Sequence, residues 1–260
     1  MLPSAFRDAI SFLTRIPAHR SGGEMNMGAA VPWFGAVGFC LGLVQGGIYI
    51  GLGEVMAPTV AAALATALVT QMTGAFHHDG LADMADAFGG GWTVDQRLEI
   101  MKDSRLGTYG VTVLIFVIVV EIASLASLTG WVALCAAVAA HSLSRAVSSF
   151  MMIIARPARD SGLGIDYLTQ LSRPAVISTS LITALLLIML FGVIALPLVV
   201  GAYGAGALVV RLAISKIGGI TGDVLGAIQQ VAKITILVVV VVAAETTTDP
   251  GVLGGFAFGR

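Results

Sequence analysis

The chain has 260 residues, of which 57% are hydrophobic and 11% charged, with a net charge of −1 and a mean hydropathy of +0.94. Soluble domains carry about 25% charge, so this composition excludes an ordinary globular protein in water and describes a chain solvated mostly by lipid. The near-neutral balance also excludes a typical nucleic-acid binder, which needs a basic surface to displace counterions from phosphate.

Within residues 1–20, Phe6, Ile10 and Leu13 recur at helical spacing with Ile16 on the flank, while Arg7, Asp8 and Arg15 lie elsewhere on the wheel. This pattern predicts an amphipathic helix in the membrane interface, ended by Pro17. Its scattered charges leave no uninterrupted apolar stretch of the kind a secretory signal has. Apolar runs then recur at 31–53, 59–76, 109–128, 132–154, 174–195, 199–217 and 224–244. Each approaches the ~20 residues that cross a ~30 Å hydrocarbon layer, and none alternates as a barrel strand does. The expected fold is all-α, a polytopic membrane bundle of about six or seven transmembrane helices. It forms one catalytic domain over 1–260, with a loosely ordered tail at 245–260. The first run is rich in glycine, as closely packed membrane helices are. Cys40 and Cys135 lie inside apolar runs without metal-ligand spacing and read as small buried hydrophobes.

Ten of the fourteen Lys and Arg fall in connections that a seven-span alternation puts on one side, namely Arg7, Arg15, Arg20, Arg97, Lys102, Arg105, Arg156, Arg159, Arg173 and Lys216; Arg145, Arg211 and Lys233 lie within spans, and only Arg260 falls opposite. The positive side is cytoplasmic, which predicts a multi-pass protein of the cytoplasmic (inner) membrane. The polar segment 77–108, the loop after Arg156 and the GGITGD junction at 218–223 should then face the cytoplasm together.

Segment 77–108 holds the chemistry. Asp79, Asp83 and Asp86 are spaced i, i+4, i+7, placing three carboxylates on one helix face, where they repel. A divalent cation removes the conflict, and Mg²⁺ suits hard oxygen ligands completed by substrate phosphates. A solvated acidic helix end is the bland reading. Zinc on His77 and His78 fits less well, since adjacent residues point in different directions on a helix. Arg97, Lys102 and Arg105 follow; they suit either a salt-bridged solvent face or a grip on phosphate. The run Gly89-Gly90-Gly91 offers either a flexible break or backbone N–H groups close to an anion. In GGITGD, glycines favour a helix-to-helix turn, but Asp223 at the re-entry of a membrane helix needs water, a metal or a partner. His141, Ser144 and Arg145 sit mid-span; Arg145 should face an interior cavity, and a Ser–His nucleophile pair lacks a third orienting group. Glu121 reads as a lone buried acid. Together, clustered carboxylates, cations and glycine turns at one membrane face suggest phosphoryl or phosphodiester transfer on an amphiphilic substrate.

FHHDGLADMADAFGGGW, RLEIMKDSRLGTYG, FLTRIP near the N-terminus, AHSLSRA at 140–146 and GGITGDVLGA at 218–227 together resemble the cobalamin (5′-phosphate) synthase family, the adenosylcobinamide-GDP ribazoletransferases. The resemblance covers nearly the whole chain in the same order. It implies a membrane transferase that joins adenosylcobinamide-GDP to α-ribazole or its 5′-phosphate and releases GMP with Mg²⁺ present. It also implies metal at Asp79, Asp83 and Asp86, and catalysis at Lys102, Asp103 and Arg105. Substrate contacts are expected at Arg97, Gly107, Arg145, Gly222 and Asp223. Ala87 stands where the family commonly has glycine, which bears on local backbone freedom alone. Small-molecule substrates and membrane lipid are the expected partners, with a homo-oligomer left open. A CDP-alcohol phosphatidyltransferase is the runner-up, but Asp83 stands where that motif has Arg. A transporter would carry midplane charges and repeat halves.

Overall fold

A computed structural model of the chain describes residues 2–19, 24–158 and 171–246, and every named element among them is a helix. Arg20, Arg159, Arg260 and most of the expected tail lie outside these residues. In chain order the helices are α1 (Ser4–Leu13), α2 (Met27–Ala30), α3 (Phe34–Gly53), α4 (Pro58–Met72), α5 (Phe76–Gly90), α6 (Val94–Ile100), α7 (Thr108–Ser127), α8 (Gly130–Ile154), α9 (Arg173–Phe191), α10 (Ala195–Ile217) and α11 (Gly222–Thr246).

Five segments are long and apolar enough to cross a membrane, or six if α4 and α5 count as one broken span. The six or seven expected spans differ from this in two places. The run at 59–76 breaks: Gly74 (φ 62°) and Ala75 (φ 57°) both take the left-handed conformation, and the chain turns by 89° between α4 and α5. The fifth and sixth expected spans fall in one apolar segment, Arg173–Ile217, of 45 residues. A short 3₁₀ turn at Gly192–Ile194 interrupts it, with Gly192 at φ 55°.

α8 is the central post, buried along most of its length and packed against α3, α9, α10 and α11. Its tightest neighbour is α3. A Cβ on Gly38 would stand 2.2 Å from the His141 carbonyl oxygen, and one on Gly42 2.4 Å from Val138 Cα. The glycine-rich first span thus packs backbone to backbone, as small residues at four-residue spacing permit. Cys135 is buried as expected, whereas Cys40 is exposed.

α1 ends at Leu13, not at Pro17, because Thr14 is already extended and turns its hydroxyl back onto the Ile10 carbonyl (2.7 Å). It does not present a fully solvated polar face. Asp8 is buried, bonds His19 Nδ1 (2.7 Å) and accepts the Asn26 N–H (3.2 Å), while Phe6 and Phe12 pack on Trp33 and Phe34.

Candidate active site

After the 89° bend, α5 lies across the beginnings of α7 and α11. At α11 the contact is close because Gly80 and Gly226 face each other's helices: a Cβ on Gly80 would stand 2.9 Å from Asp223 Cα and its carbonyl oxygen. At α7 the contact is polar. Gly107 is the N-cap and has no side chain with which to cap, so Asp86 does it from α5. The Gly107 N–H donates to Asp86 Oδ2 (2.8 Å) and the Gly110 N–H to Oδ1 (2.9 Å). A Cβ on either would stand 2.4 Å from an Asp86 carboxylate oxygen, so a larger residue at either position would push the carboxylate out of this cap. A carboxylate at a helix N-terminus also meets the positive end of the helix dipole.

The three aspartates therefore have different surroundings. Asp79 is exposed, Asp83 half-buried and Asp86 buried with both oxygens engaged. Asp223 starts α11 and accepts the Thr221 hydroxyl (3.2 Å). Asp83 feels all of the others. Its carboxyl is pushed up to about 6, first by burial and then by the negative charges of Asp79, Asp223 and Asp86. Crowding of this kind is what a cation relieves. Among the described residues no three His, Cys, Asp or Glu side chains gather closely enough to hold a metal by themselves. The donor chemistry nonetheless fits Mg²⁺, which takes one or two protein carboxylates and completes its shell with water and substrate phosphate.

The basic segment is pinned on both sides of this site. Upstream, a capping box starts α6: Thr93 Oγ1 accepts the Gln96 N–H (3.2 Å) and Gln96 Oε1 accepts the Thr93 N–H (3.3 Å). Arg97 donates from Nε to the Gly91 carbonyl (3.1 Å) and from NH1 to the Lys216 carbonyl (2.9 Å), so it ties α6 to the end of α10. Met101 is buried against Thr221, and Gly107 is held by Asp86. Lys102, Asp103 and Arg105 thus form a short loop strung between two anchors that adjoin the carboxylates. Lys102 is exposed. Arg105 closes its fork on Asp103, with Nε at 2.9 and 3.0 Å from the two carboxylate oxygens. The side-chain hydrogen bonds from Arg105 pull the Asp103 carboxyl down to about 2. The junction at 218–220 is fixed from the end of α8, where Ile220 N–H donates to Arg156 O and Arg156 Nε to Gly218 O. The polar segment, Arg156 just past α8 and GGITGD meet at one end of the bundle, as the sequence suggested. Gly222 has open space where a Cβ would stand.

Arg145 does not join this group. It is buried in the bundle, where its NH1 bonds His141 Nδ1 (3.1 Å) and the His141 carbonyl (3.0 Å). Ser144 donates to the His141 backbone oxygen and not to its ring, so no Ser–His pair forms. Glu121 is not alone: Lys233 Nζ donates to Oε2 (2.5 Å) and Gln45 Nε2 to Oε1 (2.8 Å). Polar residues at helical spacing within apolar spans, His141 with Arg145 and Gln229 with Lys233, were the available signal for this interior network.

Fold and site together define a polytopic helical membrane protein whose carboxylates, helix N-termini and cationic loop converge at one end of the bundle. The cobalamin-5-phosphate synthase family profile matches residues 5–241, and the chain belongs to that family. It is 38% identical over 246 residues to an adenosylcobinamide-GDP ribazoletransferase of Bradyrhizobium diazoefficiens, covering 90% of this chain and 91% of the relative. It is 37% identical over 243 residues to a protein of the same name from Shewanella frigidimarina, covering 89% and 92%. A third, from Shewanella baltica, is 35% identical over 249 residues, covering 92% and 94%. No solved structure matches the chain.

Proposed function

We propose that this chain is an adenosylcobinamide-GDP ribazoletransferase of the cytoplasmic membrane, working on the cytoplasmic side. It joins adenosylcobinamide-GDP to α-ribazole or α-ribazole 5′-phosphate and releases GMP. Full-length similarity to proteins of that name supports the reaction. The observation that carries the site assignment is the apposition of α5 with the first turn of α11, which sets Asp223 beside the helix of Asp79 and Asp83.

Release of GMP leaves one of the two pyrophosphate phosphates on the cobinamide side. A ribazole hydroxyl therefore forms a P–O bond to the cobinamide-side phosphorus as the pyrophosphate P–O bond to GMP breaks. One or two carboxylates of the group Asp79, Asp83 and Asp223, completed by water and substrate phosphate, would hold Mg²⁺, which when bound would neutralise charge on the pyrophosphate and its leaving group. Asp86 keeps α5 in register with α7 through Gly107 and Gly110. The N-terminus of α11 presents its positive dipole end to the phosphates. Lys102 contacts the phosphates as a point charge, and Arg105 exchanges Asp103 for a phosphate, to which its fork is equally complementary. Arg97 acts by holding α6 and the loop after it. The Lys and Arg of these converging connections support the cytoplasmic side.

The test uses purified protein in lipid with adenosylcobinamide-GDP and α-ribazole 5′-phosphate, following GMP and corrinoid product with and without Mg²⁺. Metal-dependent formation of both in equal amounts is expected. Folded protein that yields neither would sink the assignment.

A further inference from the structure

Beneath α5, away from the surface carboxylates, the bundle encloses a polar chamber. Its walls come from α4, α5, α7, α8 and α11, and the cavity among them is about 10 Å³. A cavity of about 10–15 Å³ holds one water molecule, so this space suits one water-sized group or a small ion, not either nucleotide substrate.

Its charge is unbalanced. Glu121 is committed to Lys233 Nζ and Gln45 Nε2. Arg145, also on the wall and 2% exposed, has no carboxylate partner among the described residues. The wall histidines His77, His78 and His141 supply no negative charge. One cation is thus left in excess at a depth where an unpaired charge is costly and normally has a partner.

The unsatisfied donors belong to residues of the same wall. Arg145 Nε has no hydrogen-bond partner, and neither has His78 Nε2, although His78 is 6% exposed. Gln230 Nε2 faces His78 Nδ1 at 3.4 Å. With the Gln230 amide in this orientation its nitrogen donates, which makes Nδ1 the acceptor and places the His78 proton on Nε2. Two N–H groups, one of them on a cation, therefore lack acceptors within one chamber. Gln229 Oε1 and Gln230 Oε1 are also unpartnered there. The Gln229 amide can turn end for end, because Ser144 Oγ, to which its Nε2 now donates at 2.9 Å, donates as readily as it accepts. A water molecule could satisfy the hydrogen bonds but would leave the Arg145 charge uncompensated. An anion accepts from the two N–H groups and compensates the charge.

We propose that this chamber binds one small monovalent anion of the halide class, held by the Arg145 guanidinium and the His78 imidazole N–H. Such an ion fastens α5, through His78, to α8 and α11 in the bundle interior. It stabilises the frame on which the surface site is built without touching substrate.

The full chain, purified in detergent and sodium gluconate, is titrated with NaCl or NaBr at constant ionic strength while its thermal unfolding midpoint is followed. A saturable rise of about 5 °C is expected at a hundredfold excess over Kd, with none from gluconate. Arg145→Gln should abolish the response. Because that variant can fail to fold, Gln230→Glu is the second arm. It places a carboxylate on the chamber wall, so it should fold without halide, keep a wild-type or higher midpoint in gluconate, and ignore added halide. A flat halide titration of the wild type overturns the proposal, and so does a halide response surviving in either variant. Sodium phosphate is run in parallel, since phosphate is an alternative anion for the same donors. A rise with phosphate but not with halide, lost in Gln230→Glu, would assign the chamber to phosphate and overturn the halide assignment.

Discussion

Asp86 offers the sharpest separation between holding a metal and holding the fold. Its carboxylate, 9% exposed, accepts the N–H groups of Gly107 at 2.8 Å and Gly110 at 2.9 Å, at the N-cap and third positions of α7. A hydrogen bond to a charged group is worth about 1.5–3 kcal/mol, and loss of a side-chain N-cap about 0.5–2 kcal/mol. The Gly110 N–H is buried, so Asp86→Ala leaves it orphaned. The Ala variant should therefore lose about 2–4 kcal/mol, and Asp86→Asn, which keeps one acceptor oxygen, roughly half of that. At about 2–4 °C per kcal/mol for a chain of this size, the unfolding midpoint of metal-free protein should fall by roughly 5–15 °C for Ala. The assay is thermal unfolding in detergent with EDTA, paired with a Mg²⁺ titration of the same preparations. If the metal-free midpoint of Asp86→Ala equals wild type while its Mg²⁺ response disappears, the carboxylate is a ligand and the capping account is wrong.

Asp83 should behave in the opposite sense. Its folded carboxyl titrates near 6, above its unfolded value, so the folded state binds more protons between about pH 4 and 6 and stability falls as pH rises through that window. Asp83→Asn should accordingly raise the metal-free midpoint at pH 7, by of order 1 kcal/mol after allowance for its partial exposure, with little change at pH 4; equal midpoints at both pH values would contradict the crowding. Gly80→Ala puts a Cβ 2.9 Å from Asp223 backbone atoms, so it should cost about 1–3 kcal/mol by overpacking and lower turnover by tenfold or more as α5 and α11 part. Unchanged kinetics in that variant would mean that the apposition of the two helices does not matter to the reaction. Glu121→Gln strands the Lys233 ammonium and should destabilise by about 3–5 kcal/mol, with much of the loss recovered in Glu121→Leu/Lys233→Met. A double variant no more stable than the single one would argue against the pairing.

Much of the fold was legible because the membrane imposes a length and a composition on each span, and glycines at 38, 42 and 46 announced a close helix contact. The two departures come from local backbone conformation. Nothing in the run at 59–76 announces that Ala75 takes a left-handed conformation, so the bend that lays α5 across α7 and α11 could not be read. The aspartates at 79, 83 and 86 were legible as one helix face, but that face meets different partners along its length. Asp86 reaches two glycines 21 and 24 positions away, and periodicity carries no information about such contacts. Arg97 suited a phosphate grip or a salt-bridged face, and nothing local announced its tie to the Lys216 carbonyl, 119 residues on. Glu121 looked solitary because its partners lie 76 and 112 residues distant.

The central claim is that carboxylates from α5 and α11 act together on a metal-bound pyrophosphate. Its most direct test is the rate of GMP release from adenosylcobinamide-GDP and α-ribazole 5′-phosphate by Asp83→Asn and Asp223→Asn, each across a Mg²⁺ titration and each shown to be folded. Both should lose about 10²–10³-fold in turnover, as when one group that stabilises developing charge is removed. Turnover within a few-fold of wild type in either variant, at the same Mg²⁺ requirement, would contradict the account.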